Sequence, residues 1–169
     1  GAQVIDGSLA FRAFSESWLK GDTLSKNGNR SISTVSFWVK RNVITNNALI
    51  FGFSSDSWIY FDDNGRLTWQ DESAKIMAED PAYYLDSANS WYHVHVKMDC
   101  SQSTASQRVR LYLNGEDVTG SNGNTSEPAQ WFRGKWNNAG EYGRFAITSG
   151  NPEFNGQLSQ FYFIDGIAL

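Results

Sequence analysis

Two dipeptides constrain this chain more than any other feature. Asn64-Gly65 and Asn114-Gly115 each stand between runs in which apolar and polar residues alternate. Asn-Gly readily supplies the positive φ values of a type I′ hairpin turn, and a period of two marks a strand with one buried face. Before Asn114-Gly115, the side chains of Val109, Leu111 and Leu113 point one way and those of Arg108, Arg110 and Tyr112 the other. Glu116 to Thr119 returns beyond the turn. Residues 57–61 and 66–70 flank Asn64-Gly65 in the same manner.

The same period continues elsewhere. Val35, Phe37 and Val39 alternate with Ser36, Trp38 and Lys40, while Tyr92, Val94, Val96 and Met98 share a face. Ala48 to Phe53 reads as a short buried strand. Gln157 to Ile164 reads as another, with Leu158, Tyr162 and Ile164 on one face. Segments near Leu9-Phe11 and Trp18-Leu19 bring the total to about ten strands, enough for two packed sheets. Residues 71–86 read as connection, with a short helical turn around Ala74 to Ala78. Residues 120–143 form a long polar loop that carries three large rings.

Composition agrees with an all-β domain. Aromatics make up 15% of the 169 residues, and 15 glycines accompany them, a mixture suited to short strands and tight turns. The length fits one domain over residues 1–169, alone or within a longer chain. The longest apolar stretch, around Ala48 to Phe51, falls far short of a membrane span, and Gly1-Ala2-Gln3 does not begin a signal peptide. A net charge of −4 without a Lys/Arg cluster argues against nucleic acid. Cys100 is the only cysteine, so it forms no disulfide within the chain.

Several segments in order carry a resemblance. They are Ser36-Phe37-Trp38-Val39-Lys40, Leu49 to Gly52, Trp91-Tyr92-His93-Val94, Thr104 to Val109, Arg108 to Glu116, Phe154 to Leu158, and Phe161 to Gly166. Together they resemble the laminin-G-like, concanavalin A-like lectin/glucanase jelly roll, and more narrowly its version in virion proteins of tailed bacteriophages. The resemblance runs from Ser8 to Leu169; His95 departs from it, standing where relatives carry a small aliphatic residue. It implies an antiparallel two-sheet β-sandwich on a phage particle, in a head decoration, fibre or tail-fibre domain, assembled with other virion proteins. It fixes no activity, because the fold hosts both enzymes and binders. The expected function is a non-catalytic virion surface module that binds protein or glycan. The alternatives are a lectin for host surface polysaccharide and, last, a glycan hydrolase.

The candidate site follows from sugar chemistry. Sugars stack apolar C–H faces on aromatic rings and hydrogen-bond their hydroxyls to amides. Trp131, Phe132, Trp136, Asn137 and Tyr142 offer that mixture within one loop. The competing reading has the rings fold back to cap the sandwich, and a third buries them against a neighbouring virion protein. Calcium often orders loops in related jelly rolls, and Asp62, Asp63 and Asn64 are its candidate ligands, with Asp71 and Glu72 a further source of oxygens; Asp and Asn beside Gly65 also suit a turn. A retaining glycosidase needs two carboxyl groups about 5–5.5 Å apart, and the chain has no Glu-x-Asp to place them on one strand face. Glu72, Glu79, Glu116 and Glu141 fall in expected turns. His93 and His95 share a strand face, which suits a metal pair or simple alternation; a hydrogen-bonded structural role is the expectation.

Overall fold

The alternating runs become strands because a pleated backbone sends successive side chains to opposite faces, and one face of each sheet meets the core. The computed structural model describes residues 7–12, 19–43, 48–62, 64–79, 90–120, 125–146 and 154–169. In chain order the strands are β1 (Leu9–Phe11), β2 (Leu19–Lys20), β3 (Ile32–Arg41), β4 (Ala48–Ser54), β5 (Ser57–Phe61) and β6 (Leu67–Asp71). They continue with β7 (Ala74–Met77), β8 (Trp91–Asp99), β9 (Val109–Leu113), β10 (Glu116–Asp117), β11 (Arg144–Phe145) and β12 (Gly156–Asp165). Two six-stranded sheets result, ordered β1-β12-β3-β8-β9-β10 and β2-β11-β4-β5-β6-β7. This is the expected antiparallel sandwich. Among the described residues, no helix is long and apolar enough to cross a membrane.

The inward faces are those the alternation marked. Val35, Phe37 and Val39 of β3 pair with Val96, Val94 and Tyr92 of β8, and the buried Val109, Leu111 and Leu113 extend that face across β9. The other sheet answers with Ile50, Phe51, Phe53, Ile59, Phe61, Leu67 and Trp69. Each such side chain contributes about 1.5–3 kcal/mol when fully buried, so this layer is the main source of stability. Asn114 (φ 51) and Gly115 (φ 85) make the two-residue turn that aligns Leu113 with Glu116. At the other hairpin, Gly65 takes φ 75 and its N–H donates to the Asp62 carbonyl at 2.8 Å.

Two sequence expectations are corrected. Ala74 to Ala78 is no helical turn: β7 pairs with β6 in register from Asp71↔Ala74 to Thr68↔Met77. The buried Ala74, Ile76 and Met77 complete the sheet edge, and that tertiary burial outweighs local helix preference. Leu158 does not share a face with Tyr162 and Ile164. A bulge between Ser159 and Tyr162, with Gln160 at φ 48, places Leu158 against the core while Tyr162 stands 58% exposed. Phe161 and Phe163 then pack inward.

Candidate functional site

The long segment after β10 is not a slack loop. After the bridge from Thr119 to Ala78, its described part, residues 125–143, opens with an antiparallel bridge between Ser126 and Lys75 and leads to β11. Hydrogen bonds hold it at nearly every step. Arg108 Nη1 donates to the Pro128 carbonyl at 2.8 Å, Gln130 Nε2 to Ser101 O at 3.0 Å, and Trp131 N–H to Cys100 O at 2.6 Å. Ser31 Oγ donates to Phe132 O at 2.9 Å. The Arg30 guanidinium binds both the Arg133 and Gly134 carbonyls at 2.9 Å.

The next residues are held from the other sheet. Lys135 N–H donates to Asp71 Oδ1 at 2.8 Å, and Trp136 Nε1 donates to Gln70 O at 3.3 Å. Asp71 is fully buried, also accepts Ser57 Oγ at 2.6 Å, and lies so close to Gly134 that an added Cβ would come within 1.9 Å of its Oδ2. Burial raises its pKa above the ordinary carboxylate range, against the hydrogen bonds from Ser57, Lys135 and Trp136; neighbouring Glu72 adds to the rise. Sealed beneath the loop, this acid has no surface to offer a substrate.

The five candidate binding residues are divided by this path. Trp136 is 1% exposed, and its indole packs with Trp69, Phe51, Phe53 and Phe163 at centroid separations of 5.4–6.5 Å. The expectation that it faces a ligand is corrected: the ring caps the core, where its area is worth more than in solvent. Asn137 is also buried, with φ 56, and its Nδ2 packs where a Cβ on Gly28 would have to go. Phe132 is half-buried against the core. Tyr142 is half-buried, with Lys20 Nζ 4.2 Å and the Arg144 guanidinium 5.0 Å from its ring centre.

Trp131 alone of the five is well exposed, at 60%, and it sits in the left-handed region at φ 60. Its neighbours Phe132, Gly134, Lys135 and Trp136 are all fixed by the contacts above. A bulky residue pays of order 1–3 kcal/mol for such a backbone, and the cost persists only where the surroundings over-determine it. The indole borders a cleft of about 310 Å³, with Asn27 to Ser31 on one side and Trp131 and Arg133 on the other. Asn27 Oδ1 accepts the Ala139 N–H at 2.8 Å, and Asn29 Oδ1 accepts the Ser31 and Ile32 N–H groups at 2.9 Å. Those acceptors are engaged, and neither amide nitrogen makes a hydrogen bond among the described residues. The segment 27–31 was missed in the sequence; its only signal is Asn27-Gly28-Asn29, a turn composition that says nothing about a cleft.

Of the candidate metal ligands, Asp62 is already engaged within its own turn. Asp62 Oδ1 accepts the N–H groups of Asn64 and Arg66, each at 2.9 Å, and Asp62 Oδ2 lies 2.7 Å from Arg66 Nη2. Both Asp62 oxygens are thus occupied by the turn and by the Arg66 guanidinium, the arrangement of a turn former. Asp63 lies outside the described residues. Among the described residues, no group of three or more His, Cys, Asp or Glu side chains comes together. His93 shares a 2.8 Å hydrogen bond with Ser36 Oγ and packs on Trp38, while His95 Nε2 donates to Leu169 O at 3.2 Å. Burial, then the nearby His95, holds the His93 pKa below the ordinary imidazole value. Cys100 is buried, and burial pushes its thiol up to about 12, far from a reactive thiolate.

Solved structures with the same architecture come from several settings. Domain 4 of AbnA, a GH43 extracellular arabinanase from Geobacillus stearothermophilus solved with arabinotriose, superposes with a TM-score of 0.65 at 18% identity. That match covers 96% of this chain and 72% of the other. A putative carbohydrate binding protein from Bacteroides ovatus gives 0.64 at 19% identity, over 92% of this chain and 44% of that one. The enzymatically active domain of the bacteriophage CBA120 tailspike protein 2 gives 0.52 at 10%, over 99% of this chain and 30% of that one. At such identities the likeness is one of fold. No curated protein sequence matches the chain. The family model that matches spans residues 17–167, nearly the whole sandwich, and on that match the chain belongs to the concanavalin A-like lectin/glucanases superfamily.

Proposed function

We propose that this domain is a non-catalytic glycan-binding module whose site is the cleft beside Trp131. One observation carries the reading: an exposed indole, in a strained backbone pinned on both sides, lines one cleft together with asparagine amides and arginine guanidinium groups. A pre-set ring loses little freedom on stacking against a sugar face, so little of the stacking energy is spent on ordering it. Two structural neighbours, an arabinanase domain solved with arabinotriose and a protein described as a putative carbohydrate binding protein, agree with this use of the fold.

The test is a glycan array with the wild type and Trp131→Ala, each checked for an unchanged melting temperature. We expect a specific hit for the wild type and at least a tenfold weaker signal for the variant. An equal signal from a folded variant would sink the assignment of the site. For the setting, we propose a virion surface of a tailed phage, on the ordered motifs from Ser36 to Gly166. Particles lacking the domain should lose adsorption to host cells and keep their assembly. Particles that fail to assemble would favour an architectural role, with Trp131 as an interface anchor.

A further inference from the structure

The cleft has a charge as well as a shape. Of the residues that line it, Arg30 and Arg133 are cationic and none is acidic. Their situations differ. Arg30 spends Nε and Nη2 on the loop carbonyls, which fixes its guanidinium in place, and Nη1 takes no part in those bonds. The Arg133 side chain is exposed and makes no hydrogen bond or ion pair among the described residues. This contrasts with Arg66 and Arg110, which are paired with Asp62 and Asp117. Two acids border this region: Asp71 is sealed beneath Gly134, and Asp165, beside Gly28, accepts the Asn29 N–H at 2.7 Å on Oδ1.

A neutral sugar would leave this charge unused. A ring stacked on Trp131 with an anionic substituent directed to the arginines would use all of it. Guanidinium is suited to that role because its planar fork accepts a carboxylate or sulfate with two hydrogen bonds, which a hydroxyl cannot match. A chain with net charge −4 repels anions at long range, and two arginines gathered in a cleft with no acid in its lining raise the potential locally against that field. Resting on the glycan-binding reading above, we infer that the cleft selects an acidic saccharide, stacking its ring on Trp131 and binding its oxyanion with Arg133 and Arg30.

The experiment measures binding of the whole domain to three polymers: polygalacturonate, which carries carboxylates, dextran sulfate, which carries sulfate esters, and neutral dextran. The proteins are the wild type, Arg133→Ala, Arg133→Lys and Lys40→Ala, the last removing a cation elsewhere on the molecule. The expected result is at least tenfold tighter binding to one acidic polymer than to dextran. That gain should fall at least fivefold in Arg133→Ala, recover only in part in Arg133→Lys, and persist in Lys40→Ala. Preference for polygalacturonate assigns a carboxylate and preference for dextran sulfate a sulfate. Equal losses from Arg133→Ala and Lys40→Ala would mean diffuse attraction and overturn the inference. Trp131-dependent binding to neutral glycans, unaltered in Arg133→Ala, would overturn it and leave the glycan-binding reading standing. Absence of binding to every glycan, on the array and here, would remove both.

Discussion

Asp71 shows what one buried side chain does for the site. Its carboxylate holds the Lys135 N–H, accepts Ser57 Oγ, and lies against Gly134, so it fixes the backbone just after Arg133. Because burial raises its folded pKa, the unfolded chain ionises first as pH rises. Its contribution is therefore complete below the ordinary aspartate value of about 4 and is lost as pH climbs through the raised folded value. Asp71→Asn keeps the Oδ1 acceptor and removes the titration. The melting temperature of Asp71→Asn relative to wild type should rise with pH across that window, as read by thermal unfolding at a series of pH values. Parallel curves would show that Asp71 ionises in the folded state as it does in the unfolded one. No sequence pattern marks this residue: Asp71 and Asp62 both look like turn formers beside a hairpin. The two tryptophans teach the same lesson. Trp131 and Trp136 have the same chemistry and the same polar surroundings in sequence. Yet Trp136 packs among four core rings, where truncation of such a residue costs about 3–5 kcal/mol, and Trp131 faces solvent. Which ring turns inward is decided by Asp71 and Gln70, from a strand far away in sequence.

At the scale of elements, alternation made most strands legible, and departures mark where the backbone stops being regular. β9 follows the period of two throughout, β3 from Val35 onward and β8 from Val94 onward, so their faces could be read directly. β12 does not, because one inserted residue reverses the parity of everything after it. Leu158 opposes Val39, yet Tyr162 opposes Ser36, and two residues stand against Phe37 between them. Gln160 takes the strained share of that bulge at φ 48, where a side chain costs more than a glycine hydrogen. Gln160→Gly should therefore stabilise the domain by up to about 1 kcal/mol, a gain offset in part by the freer unfolded chain. Chemical denaturation of the two proteins measures it. A loss above 1 kcal/mol would mean that the Gln160 side chain itself holds the bulge. β7 was hidden for a different reason. Ala74 to Met77 is too short for periodicity to outweigh its helix-favouring residues, and only the edge of β6 makes it a strand.

At the scale of the whole molecule, chain order and spatial order disagree in a way that makes folding all-or-none. β12 is the last strand in sequence, yet it lies between β1 and β3, in the interior of its sheet. β11 lies in the same fashion between β2 and β4 in the other sheet. Each sheet is thus closed by a late segment inserted between early ones. Without β12, the buried Leu158 and the inward Phe161 and Phe163 are gone, β1 has no partner in its sheet, and the edge of β3 is bare. Such exposure is what edge-to-edge aggregation feeds on. Antiparallel pairings between residues so distant in sequence also carry a large closure cost before any contact repays it, which puts folding in the millisecond-to-second range. A chain ending at Asn155 should accordingly lack cooperative unfolding, whereas one that starts at Leu19 should retain it, since β1 sits at an edge and pairs with β12 alone. Circular dichroism melts of the two truncations separate the cases. A sharp transition in the chain ending at Asn155 would show that β2 to β11 form a stable unit by themselves. The Trp131 cleft, whose wall at Asn29 is tied to Asp165 of β12, would then have lost that tie in an otherwise folded chain.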